Sequence, residues 1–127
     1  MALIVSIDRG AIKQDLGDFR AVVLVGNEVR VADDESRVLA KHLHNRWLAT
    51  EPEGDAYMTL NIAGPLVIHA GGKEPKLGPY MSFSMTDGIL YVEQRVLGMW
   101  DSQHDDWYVK DAGTHSKRVT ISFRPSD

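Results

Sequence analysis

Histidines and carboxylates come first among the residues that could do chemistry, because this chain has no cysteine. Thiol nucleophiles, disulfides and Cys-ligated metal centres are excluded by that alone. His42 and His44 stand two residues apart. On a helix that spacing turns the imidazoles about 200° away from each other, whereas a zinc-binding pair needs i, i+4 spacing. Both are read as amphipathic surface residues flanking an apolar stripe. The run Asp101-Ser102-Gln103-His104-Asp105-Asp106 gathers three carboxylates and an imidazole. It lacks the alternating Asp/Asn pattern and central glycine of an EF-hand loop. It reads as a solvated hairpin turn bracketed by Trp100 and Trp107. Asp105 and Asp106 are neighbours, so on a strand they point to opposite faces and do not form an acid/base pair. The sequence therefore predicts no metal site and no cofactor.

A more promising set lies on one strand face. Tyr80, Ser82 and Ser84 alternate along one run, and Tyr91, Glu93 and Arg95 alternate along the next. With Asp87-Gly88 as a two-residue turn, these six side chains share one side of a hairpin, opposite Phe83 and Met85. Tyr57, Thr59 and Asn61 form a similar polar edge on an earlier strand. Such a face is an ordinary outward surface, a protein interface or the wall of a pocket. Tyr and Arg are enriched at interfaces, which makes this face the candidate binding surface. His69 with Ser82 or Ser84 and Glu93 would make a nucleophile–base–orienter set, but no G-x-S-x-G elbow supports it. The loop Gly71–Pro79 carries Lys73 and Lys76 but lacks phosphate-loop spacing, and no helix follows it.

Bulk properties narrow the partners. The 127 residues suit one domain, and 43% hydrophobic with 25% charged residues is ordinary for a folded chain. The formal net charge of −4 offers no basic field for nucleic acid, which is an unlikely ligand, or for anionic lipid. No run approaches the roughly 20 apolar residues of a membrane span, and the apolar run at Leu3–Ile7 is too short for a secretory leader. These points predict a cytoplasmic protein without a membrane partner.

The elements that must position these residues are mostly strands. Leu3–Ile7 is β-branched and apolar, and Asp8–Asp18 reads as a loop with at most one helical turn. Phe19–Ala32 forms a hairpin about Gly26-Asn27, with Leu24 facing Val29 and Val22 facing Val31. Asp33 then reads as an N-cap for the one main α-helix, 34–48, with Leu39, Ala40, Leu43 and Trp47 on one stripe. The stretch 50–54 ends it. Beyond it, strands are predicted at Tyr57–Ile62, Leu66–Ala70, Tyr80–Thr86, Ile89–Trp100, Trp107–Lys110 and Arg118–Arg124.

The fold class predicted is α+β: a curved antiparallel sheet of about seven to nine short strands laid against one helix, a single domain over 1–127. Hot-dog-like, cystatin-like and cone-like rolls have this shape, though shape alone carries little about function. The function predicted is a non-enzymatic binding or assembly domain acting through the polar-aromatic face, by self-association or with another protein. The rival is a small-molecule carrier or small enzyme with a pocket between sheet and helix.

Overall fold

Short turns between β-branched runs set the course of the chain. A computed structural model describes residues 2–9, 12–43, 46–49, 59–70 and 76–124. In it β3 (Ala21–Val25) and β4 (Glu28–Val31) reverse through Gly26-Asn27 and pair Val22 with Val31 and Leu24 with Val29. Further along, β8 (Leu77–Thr86) and β9 (Ile89–Val92) reverse through Asp87-Gly88 and pair Phe83 with Val92 and Ser84 with Tyr91. Asp87 and Gly88 have φ of 58° and 115°, the left-handed pair a primed two-residue turn requires.

The predicted helix is absent, and the fold is all-antiparallel β rather than α+β. Among the described residues there is no α-helix, only a 3-10 turn at Lys110–Ala112. The segment read as helical is β5 (Asp34–Leu43) followed by β6 (Arg46–Ala49). Ala32 and Asp33 form the turn before β5, so Asp33 assists a chain reversal instead of capping a helix. Asp suits both places because its carboxylate accepts hydrogen bonds from nearby backbone N–H groups. Leu39, Ala40 and Trp47 are buried, as the stripe demanded. A bulge brings in Leu39 beside Ala40: Val29 pairs with Ala40 and Arg30 with Val38, which leaves Leu39 as the extra residue, while Trp47 comes from β6 in register with His42. The open edge of β4 supplies a ladder of hydrogen bonds, and Lys41 reaches Glu28 across it at 3.5 Å. Helix propensities differ by only fractions of a kcal/mol per residue, so such an edge outweighs them. The side chains of Leu43 and Leu48, residue His44, and the expected helix end at 50–54 lie outside the described residues.

The remaining strands are β1 (Leu3–Arg9), β2 (Ile12–Phe19), β7 (Thr59–Ala70), β10 (Arg95–Asp101), β11 (Asp106–Val109), β12 (Thr114–Ser116) and β13 (Arg118–Phe123). Thus 12–18, read as part of a loop, belongs to a strand that also takes in Phe19, expected to open the next hairpin, and hairpins back on β1. The sheet runs β12-β11-β10-β9-β8-β7-β13-β3-β4-β5-β6, with β1 on β7 and β2 on β1. Strand β7 merges the two runs expected on either side of Gly64-Pro65. Its first half pairs with β1 and its second half with β13, while β8 follows its other edge. The change-over falls at Gly64-Pro65, where proline withdraws a ladder donor. A Cβ on Gly64 would stand 2.5 Å from the Leu66 nitrogen.

The two wings of the sheet close on one apolar cluster that takes in Leu3, Val22, Leu39, Ile68, Phe83, Leu97, Val109 and Ile121. Trp47 stacks on Trp107 with centroids 5.9 Å apart, and Trp107 Nε1 donates to the Gly26 carbonyl at 2.6 Å. His42 is 4% exposed, with the rings of Trp47, Trp100 and Trp107 all within 5.5 Å. It is a core residue, not the surface residue predicted, because a strand sends it to the same side as Ala40. No helix among the described residues is long and apolar enough to cross a membrane.

Candidate functional site

Three transverse rows of side chains cover the outward face of β1, β7, β8 and β9. The central row is Ser6, which is itself buried, then Asn61, Ser84 and Tyr91, each the register partner of the next. On one side of it stand Ile4, Ala63 and Ser82, again in register. On the other, Asp8 pairs with Thr59, and the Thr59 and Thr86 hydroxyls lie 2.9 Å apart. Two-residue alternation puts Leu3, Val5, Ile7, Leu60, Ile62, Phe83, Met85, Leu90 and Val92 on the opposite, buried side.

Together these strands form a groove of about 610 Å³, whose walls include Ser6, Asn61, Ser82, Ser84, Tyr91 and Gln94. Lys13 from β2 and Ile4 from β1 complete its rim. Asn61 Nδ2 donates to Asp8 Oδ2 at 2.8 Å, which fixes the amide that faces the groove. Ile4 is 53% exposed, a large apolar side chain beside hydroxyls and amides. The lining offers hydrogen bonds, two aromatic residues, Phe83 and Tyr91, and one cation, Lys13. Among the described residues it contains no histidine and no carboxylate; the Asp8 and Glu93 carboxylates lie just beyond it, held by Asn61 and the Met81 N–H. The set of His69 with Ser84 does not form. His69 pairs with Thr120 and Ser84 with Asn61, and eight residues of β7, about 25 Å, separate those positions.

Of the six face residues predicted, Ser82, Ser84 and Tyr91 line the groove. Glu93 sits at its margin, where its backbone N–H donates to the Ser82 carbonyl at 3.3 Å and its carboxylate accepts from the Met81 N–H at 3.1 Å. Tyr80 belongs to the core, at 9% exposure, while Met81 turns outward. The shift in register between Ala63 and Leu66 turns the face over at that point. Arg95 is on β10, not on the strand of Tyr91, because the chain reverses at Glu93-Gln94. Its guanidinium nonetheless meets Tyr80, donating to the phenol oxygen at 3.4 Å and to Asp111 at 2.9 Å. The Asp111 carboxylate raises the Arg95 pKa, and burial raises that of Tyr80. Tyr57 and residues 71–75 of the lysine-bearing loop lie outside the described residues.

Sequence reading missed the contributions of Ile4, Ser6 and Lys13. The strand at Leu3–Ile7 was legible. That Ile4, Ser6 and Asp8 border Asn61 and its neighbours was not, because 53 residues separate Asp8 from Asn61. No protein-family model, curated protein or solved structure matches the chain.

Proposed function

We propose that this chain is a non-enzymatic binding domain whose outward groove on β1, β7, β8 and β9 receives a protein partner, a second copy of the chain or another polypeptide. The observation that supports it is the convergence of Ser6, Asn61, Ser84 and Tyr91 in one row, bordered by the exposed Ile4. Mixed hydroxyl, amide, aromatic and apolar surface is what protein interfaces use. The described lining residues are mostly hydroxyl, amide and apolar groups, which supports binding. A cytoplasmic location belongs to the same proposal and rests on the lack of cysteine. The groove's size also falls within the range of small-molecule sites, which favours a carrier as the second reading. The pocket between sheet and helix is no longer available to that reading, since the helix is absent.

Sedimentation over a concentration series tests the first reading. Wild-type chain should self-associate, or bind a partner identified by cross-linking. Tyr91→Glu should weaken that association by about 2–5 kcal/mol while circular dichroism stays unchanged. Association that Tyr91→Glu leaves untouched overturns the reading. A chain monomeric at every concentration, with no partner but a melting point raised by a polar metabolite, replaces it with the carrier.

A further inference from the structure

Three donor atoms from separate parts of the chain converge where β10 and β11 meet. Asp101 ends β10, His104 lies in the turn that follows, and His115 is the middle residue of β12. His104 Nδ1 stands 2.8 Å from Asp101 Oδ2, and His115 Nε2 stands 2.9 Å from the same oxygen. The other carboxylate oxygen, Oδ1, accepts from the Gln103 backbone N–H at 3.0 Å, which holds Oδ2 toward the two imidazoles. Their rings stack with centroids 4.4 Å apart, and Tyr108 lies 5.0 Å from the His115 ring. All three donor atoms fall within 4.8 Å of one another.

We propose that Asp101, His104 and His115 bind a divalent transition-metal ion, with Zn²⁺ the best match. Two imidazole nitrogens and one carboxylate oxygen are a borderline donor set, suited to Zn²⁺ and its neighbours. Ca²⁺ and Mg²⁺ prefer oxygen shells, and the site offers one protein oxygen with two nitrogens. Each imidazole presents a lone pair by moving its proton to its other ring nitrogen, so no net proton is lost from a neutral ring. Bonds of about 2.0–2.1 Å in a tetrahedron set donors roughly 3.3 Å apart, so the carboxylate retreats from each imidazole by about half an ångström. His104 and His115 are exposed, so an ion enters from solvent and water fills its remaining positions. Strand pairing fixes two of the ligands: Asp101 is in register with Asp106, and His115 with Tyr108. The sequence predicted no metal here because His115 lies 11 residues beyond His104 and outside the acidic run.

Calorimetric titration of the full chain with ZnCl₂ at pH 7.5, in a buffer that does not chelate, tests the site. One ion should bind per chain. His104→Ala and His115→Ala should each weaken binding at least about tenfold, and His69→Ala should leave it unchanged. A wild-type measurement needs no variant to fold: Zn²⁺ should shift the imidazole NMR signals of His104 and His115 and spare that of His69. Absence of saturable binding, or binding that His115→Ala leaves intact, overturns the proposal. So do shifts confined to histidines other than these two.

Discussion

His42 gives the core a titratable group. Burial among three indoles lowers its pKa below the usual 6.5, while its Nε2 lies 3.4 Å from the Asp87 carbonyl. In the unfolded chain the imidazole takes up a proton as pH falls through 6.5, whereas in the fold it resists. Its contribution to stability is therefore complete above that pH and declines as acid is added below it. Urea midpoints at pH 7.5 and 5.5 measure the effect. The informative quantity is the difference between wild type and His42→Phe, and the variant should show the weaker pH dependence. A slope identical in both would remove His42 as the cause. Gly98 is constrained by space rather than charge, since a Cβ there would collide with the Tyr108 carbonyl oxygen. Gly98→Ala must part β10 from β11 and should cost about 1–3 kcal/mol, read as a lower denaturant midpoint at unchanged slope.

The hairpins β8–β9 and β9–β10 both turn through two residues, with different chemistry. Gly88 at φ 115° is free to adopt that conformation, and Gly88→Val should lower stability by about 1–3 kcal/mol. An unchanged melting temperature would contradict this turn. Glu93 and Gln94 have φ of 50° and 70° without being glycine. Left-handed backbone costs a side-chain-bearing residue about 1–2 kcal/mol, while the added freedom of glycine in the unfolded chain costs about 0.5–1. The first term is the larger, so Gln94→Gly should raise the melting temperature, and a fall would contradict the turn geometry. That strained reversal sends Arg95 back along Val92 and assigns the polar face to β8 and β9 rather than to one long hairpin.

Closure of the whole molecule depends on its last strand. β13 enters between β7 and β3, pairing Ile121 with Ile68 on one side and Val22 on the other. Ile121 is fully buried, and Ile121→Ala should cost about 2–5 kcal/mol. A loss under half that range would argue against β13 at the centre. Contacts such as Val22 with Ile121 span most of the chain, so their loop-closure entropy is met before the packing that rewards it. Refolding followed by tryptophan fluorescence should take milliseconds to seconds, in the range of all-β domains. Sub-millisecond folding would be inconsistent with this topology.

Local rules read from the sequence determined the registers at Gly26-Asn27 and Asp87-Gly88, the buried sides of β3, β4 and β9, and the placing of Ser84 beside Tyr91. Each rests on contacts between residues a few positions apart, where turn type and two-residue alternation leave one solution. Only the tertiary structure decided the rest. Leu39, Ala40 and Trp47 satisfy a helix stripe and a bulged strand pair equally well, and the free edge of β4 chose the strands. Glu93-Gln94 carries no turn signal, and the reversal there moves Arg95 away from the strand of Tyr91. The row from Ser6 to Tyr91 and the approach of His115 to Asp101 both require strands far apart in sequence to lie side by side. That adjacency comes from hydrogen-bonding edges finding partners across the sheet, a choice set by the fold's total burial and by no local pattern.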